Sequence, residues 1–223
     1  MITPSTPGPL TRGRSNAPSR ASVITTLLAI CLLAVPLLAV PLLALPASAH
    51  HMLDLMQLKP TPFSGLLSGL AHPIIGPDHL LFLLALSLVG LHRRALWMLG
   101  LLAVSLGGSL LGLALPGLPG AEGLGAFTLV LLALVVMTRL PIALLLPAFA
   151  LHGYLLSASV IGWTQTPLAF YLVGLMLSQG GLLLLSLTLL RRAGASLTPS
   201  RRQWLAAALL GIGAAWTWSA LVG

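Results

Sequence analysis

From residue 21 onward the chain alternates long apolar runs with short polar connections. After residue 60 there are six such runs, at about 63–91, 95–115, 122–139, 141–161, 166–190 and 203–222. Most are close to the ~20 residues a helix needs to cross a bilayer. The pattern predicts an all-α polytopic membrane helix bundle with six transmembrane helices. The first and fifth runs are long enough to be broken or tilted.

The N-terminal part reads differently. Residues 1–20 are rich in Pro, Ser and Thr, carry Arg12, Arg14 and Arg20, and contain no acid. An apolar stretch with Pro36, Pro41 and Pro46 follows, ending in Ala47, Ser48 and Ala49. Basic n-region, apolar stretch and small-x-small ending form a signal-peptidase pattern, so cleavage is expected after Ala49. The apolar stretch exceeds a usual h-region, and an uncleaved signal anchor is the alternative. The expected organisation is therefore a signal sequence at 1–49, a short periplasmic segment at 50–62 and a six-helix membrane domain at 63–223.

Charge adds orientation. Arg93 and Arg94, Arg139, and Arg191, Arg192, Arg201 and Arg202 follow the first, third and fifth spans, whereas the connections after the second and fourth carry no lysine or arginine. The positive-inside rule then puts both ends of the mature chain outside, on the periplasmic face of a bacterial inner membrane. An even number of spans agrees with this.

Within the first span, residues 69–82 read GLAHPIIGPDHLLF. Ionisable groups are costly in hydrocarbon and by default functional there. In one unbroken helix His72 and His79 would share a face but lie about 10 Å apart along the axis, too far for one ion. Pro73, Gly76 and Pro77 argue against an unbroken helix, because proline lacks the amide donor and biases its predecessor out of the helical region. A break near Gly76 is expected. A second half-helix would start with Pro77 at its first position and Asp78 in its first turn, as in carriers that build ion sites from discontinuous helices. Converging His72, Asp78 and His79 would offer imidazole nitrogen and carboxylate oxygen, a set suited to Ni2+, Co2+, Zn2+ or Cu.

Other polar positions are read against simpler roles. His152 lies mid-span before Gly153 and is either a hydrogen-bonded core histidine or a further ligand. Gln179 is expected to bridge helices or line a pore. Glu122 opens the third span, where it suits the helix dipole and could attract cations. His50 and His51 would head the cleaved chain, as a metal-capturing end or a plain mobile tail. His92 reads as interfacial, and Ser157 and Ser159 as hydroxyls satisfying backbone groups. Gly65 with Gly69, and Gly108 with Gly112, are assigned to close helix packing.

Composition closes off several classes. With 57% hydrophobic and 6% charged residues, the chain is too apolar for an ordinary water-soluble globule. The net charge of +8 is scattered between spans rather than gathered on a stripe, so nucleic acid is not an expected partner. Cys31 is the single cysteine, which excludes a disulfide framework and a cysteine metal site; Ile30 before it argues against a lipid anchor. No nucleotide-binding loop is present, and no resident cofactor is expected.

The run HPIIGPDHLL fits the HPxxGxDHxL signature of the HupE/UreJ family of bacterial membrane proteins. LHGYLL resembles that family's second histidine motif, and TPLAFYLVGLMLSQ its fifth span, so the resemblance covers essentially the whole mature chain. It implies a nickel or cobalt permease serving hydrogenase or urease maturation, with His72, Asp78, His79 and His152 as metal-site residues. Two positions depart from the pattern: Leu156 stands where many members have a second histidine, and Gln179 where many have one in the fifth span. Three functions follow in order. The first is a secondary permease for a divalent cation, whose uptake weakens as protons compete for the imidazoles. The second is an intramembrane metal-dependent hydrolase, for which no HExxH exists. The third is a non-transporting sensor or scaffold. The physiological metal and the oligomeric state, homo-oligomer included, are left open.

Overall fold

The computed structural model describes residues 59–222. The expected signal sequence, Cys31, His50 and His51 lie outside them. All regular elements among the described residues are helical. In chain order they are α1 (Pro62–Ile75), α2 (Pro77–Ala85) with a 3-10 turn at Leu86–Leu88, α3 (Arg94–Ala114), α4 (Ala121–Met137) and α5 (Leu145–Leu156), the last flanked by 3-10 turns. Then α6 (Gln165–Leu184) continues through a π-helical stretch, Leu185–Leu190, into α7 (Arg191–Ala195), and α8 (Pro199–Val222) closes the bundle.

Four helical stretches are long and apolar enough to cross a membrane: Arg94–Ala114, Ile142–Val160, Gln165–Ala195 and Pro199–Val222. The helices Pro62–Ile75 and Pro77–Leu88 make a fifth if taken together, bent by 67°. The remaining helix, α4, is apolar but has 17 residues, so the expected count of six is not reached by length alone. Both runs singled out as long are irregular: the first is broken, and the fifth carries the π stretch. Leucines point outward from the bundle, Leu99 at 60%, Leu110 at 54% and Leu177 at 55% exposure. An apolar outer surface of this kind suits hydrocarbon rather than water.

The helix starts follow local chemistry. Thr61 caps α1 through a reciprocal pair: its hydroxyl accepts from the Ser64 amide at 3.1 Å, and the Ser64 hydroxyl accepts from the Thr61 amide at 2.9 Å. Pro62 follows at the first helical position, where no donor is missed. Glu122 sits in the first turn of α4, exposed, where a carboxylate suits the dipole.

Glycines set which helices touch. Gly65 and Gly69 of α1 lie against the backbone of Pro167 and Tyr171 in α6, so these helices run parallel. Gly108 and Gly112 of α3 meet Ala150 and Tyr154 of α5, and Gly153 of α5 meets the Ser105 carbonyl. This is the packing role assigned to both GxxxG pairs. The α4 helix pairs antiparallel with α8, Gly123 facing Leu221 and Gly213 facing Leu129. Inside these pairs sits an apolar core including Leu81, Leu83, Leu86, Leu129, Leu132 and Leu145.

Neighbouring glycines provide an internal control for this packing. A Cβ at Gly108 would overlap the Ala150 carbonyl oxygen, while one at Gly107 meets nothing within 4 Å. Gly108→Ala should destabilise the purified protein by about 1–3 kcal/mol, as overpacking does. Gly107→Ala should leave its thermal midpoint in detergent unchanged or slightly higher.

Candidate metal centre

The centre is built by the break in the first span. At Gly76 the backbone is extended, φ −70° and ψ 105°. Its amide still donates to the His72 carbonyl at 3.0 Å, closing α1, and its carbonyl accepts from Leu80 at 2.9 Å, opening α2. Pro73 and Pro77 have no amide to give, so the carbonyls of Gly69 and Pro73 lose the donor four residues on. Pro77 then takes the first position of α2 and Asp78 its first turn, as the sequence suggests. Pro73 itself is accommodated inside α1, so the interruption falls at Gly76 alone.

The bend sets His79 against His152 of α5. Their Nδ1 atoms face each other at 2.6 Å, and Asp78 Oδ2 lies 3.5 Å from the same nitrogen of His79. Asp78, His79 and His152 each offer a ligand atom, all within 4.8 Å of one another, and all three residues are buried. Two nitrogens and a carboxylate oxygen suit a borderline divalent cation. One ion bound to both Nδ1 atoms would hold them farther apart than 2.6 Å, so the rings would have to part to share it.

His72 takes a different place from the one expected. Its ring centroid is 5.9 Å from that of His79, but its Nδ1 engages the Tyr171 hydroxyl at 2.9 Å. The three-residue group is thus completed by His152 from α5, and His72 forms an adjoining layer with Tyr171. Ser159 also belongs to this layer, its hydroxyl 3.4 Å from His72 Nδ1. Ser157 does bond the backbone, at the Tyr154 carbonyl.

Beyond the histidine pair the lining becomes apolar. Phe82 follows His79 by one turn, and Phe149 precedes His152 by one turn on the oppositely running α5. Their rings stack with centroids 5.7 Å apart and planes 6° apart. Phe82 lies 4.5 Å from the His152 ring. Three layers therefore succeed one another: His72 with Tyr171, then Asp78, His79 and His152, then the two phenylalanines.

Gln179 is fully buried, and neither of its amide atoms has a hydrogen-bond partner among the described residues. It does not bridge helices by hydrogen bonding. Gln179 lies on α6, the helix that packs along α1 and carries Tyr171 to His72. Glu122 and His92 are exposed and take no part in the three-residue group.

Sequence reading missed two hydroxyls. Thr128 of α4 donates to the Gly125 carbonyl at 2.6 Å and lies 2.6 Å from His152 Nε2. Tyr171 donates to the Leu156 carbonyl and meets His72. Each is a rare polar group in an apolar run, AFTLVLL and LAFYLVG, which was the available signal.

The described residues form an all-helical bundle with apolar outward faces, as a membrane protein has, and enclose a buried histidine and carboxylate cluster at a helix break. A family profile described as HupE / UreJ protein matches residues 38–216, and the chain belongs to that family. The family is one of transporters, associated with nickel and cobalt supply to hydrogenase and urease maturation. Neither the curated proteins nor the solved structures contain a match to the chain.

Titration of the purified protein with Co2+ should show one site per chain. Asp78→Asn and His152→Ala should weaken it by more than the roughly 100-fold that loss of an outer partner can cost. Glu122→Gln should leave the affinity as it is.

Proposed function

We propose that the chain is a secondary permease for a divalent transition-metal cation, with nickel or cobalt as its cargo. The observation that carries this reading is the buried Asp78, His79 and His152 group at the broken helix, in a member of a transporter family. The donor set alone also admits zinc and copper; the family favours nickel and cobalt and suggests hydrogenase or urease maturation as the recipient.

The reading includes six spans, with α4 as the third. At ~1.5 Å per residue α4 is ~25 Å long, and the deficit against a ~30 Å hydrocarbon core is of a size that local thinning absorbs. Arginine-bearing connections alternate with uncharged ones, which supports a cytoplasmic side at Arg93, Arg139 and Arg191 and periplasmic ends for the mature chain. The N-terminal 49 residues serve as its signal sequence.

On this orientation α1 begins at the periplasmic face, so an entering cation reaches the His72 and Tyr171 layer first. It then exchanges water for the carboxylate of Asp78 and the imidazoles of His79 and His152. Phe82 and Phe149 offer it no lone pair, and their stack closes the cytoplasmic side. Onward passage requires that layer to part. Neutral imidazoles and one carboxylate leave a bound divalent ion with net positive charge, which favours release once a path opens.

Cells expressing the protein should accumulate Ni2+ or Co2+ above the vector level. His72→Ala, Asp78→Asn, His79→Ala and His152→Ala should each abolish that rise at matched membrane abundance, measured by elemental analysis against Zn and Cu. Equal accumulation by wild type and all four variants would remove the ion path. For the aromatic layer, Phe82→Leu should speed Co2+ entry into proteoliposomes down its gradient while leaving Co2+ affinity within a few-fold. An unchanged rate would assign the stack to packing.

A further inference from the structure

We propose that Thr128 is a positioning residue for the metal centre: it holds His152 as the tautomer protonated at Nε2 and thereby turns the Nδ1 lone pair toward the ion. The inference rests on the permease reading for its purpose, though not for its geometry.

The argument is a count of protons. Thr128 Oγ lies 2.6 Å from the Gly125 carbonyl oxygen and 2.6 Å from His152 Nε2. Two oxygens approach that closely only with a hydrogen between them. Threonine has one such hydrogen, and the carbonyl has none, so the hydroxyl proton is committed to Gly125. The contact on the other side also needs a hydrogen, and Nε2 is left as its source. A neutral imidazole protonated at Nε2 carries its lone pair on Nδ1, the atom that faces His79 Nδ1 at 2.6 Å. When no ion is present, His79 supplies the hydrogen between the two rings.

The same order recurs in the neighbouring layer. Tyr171 gives its proton to the Leu156 carbonyl, so its oxygen accepts from His72 Nδ1. Carbonyl, hydroxyl and imidazole follow one another in both places. Ligating histidines elsewhere are oriented through the nitrogen that does not bind the metal, commonly by a carboxylate or carbonyl. Here a hydroxyl relays the carbonyl. Position supports the assignment too. Thr128 is buried, and it is the α4 side chain that reaches the centre by a hydrogen bond.

The test uses 15N-histidine-labelled protein in lipid nanodiscs, without metal, with His152 signals assigned by their loss in His152→Ala. Wild type should show Nε2 protonated and Nδ1 bare. Thr128→Val, nearly the same shape without the oxygen, should lose that preference and weaken Co2+ binding about 10–100-fold. Thr128→Ser should restore both. A wild-type ring protonated at Nδ1 overturns the proposal, as does a valine variant with unchanged tautomer and affinity. Should the valine variant fail to fold, the wild-type tautomer and the serine variant still decide it. If wild type binds neither Co2+ nor Ni2+, or His152→Ala binds them equally, the permease reading fails while the tautomer measurement stands by itself.

Discussion

Pro77 has no amide to offer the carbonyl of Pro73, and this missing hydrogen bond is the constraint from which the centre follows. Inside a membrane every backbone group must find a partner within the protein, so a break in a spanning helix survives only where other helices enclose it. The chain supplies that enclosure. Glycines at 65 and 69 bring α6 onto α1, and glycines at 108 and 153 bring α3 onto α5. The break is therefore held rather than loose, and Asp78 and His79 emerge from it at a fixed angle to α5.

The bend changes what the first-span motif can do. Along a straight helix its two histidines would lie too far apart for one ion, and a residue from another helix would be needed for each. With α2 swung by 67°, His79 meets His152 directly while His72 stays behind with Tyr171. The motif is thus split between two layers: one half binds in the central group, and the other lies on the approach to it. The phenylalanines a turn further on belong to the same two helices as the central histidines, so any movement that separates His79 from His152 also strains or opens the stack. Ligand exchange and closure of the path share one helix pair.

Buried polar groups rank by how they are satisfied. Thr128 and Tyr171 each pass a backbone carbonyl's acceptor strength on to a histidine. Gln179 has no hydrogen-bond partner among the described residues, and burying an amide without a hydrogen bond costs several kcal/mol in apolar surroundings.

Much of this was legible in the sequence because it depends on local chemistry. Proline without an amide, glycine at the junction, a carboxylate in a first turn and the length of apolar runs each act over a few residues, so the break at Gly76, the start of α2 at Pro77 and the helical class could be read directly. The participation of Asp78, His79 and His152 in one cluster was legible only in part. Which helix faces which, and at what register, is decided by close approach of backbones between residues far apart in the chain, Gly108 against Ala150 and Gly65 against Pro167 among them, and no local pattern encodes it. That is why His72 was expected in the central group and lies beside it, why Thr128 and Tyr171 went unnoticed as hydroxyls in apolar runs, and why Phe82 and Phe149 read as ordinary core. The residue types were set by the sequence, but their assignment to layers came from tertiary packing, because a hydrogen bond or a ligand set needs atoms within about 3 Å and only the folded chain brings them there.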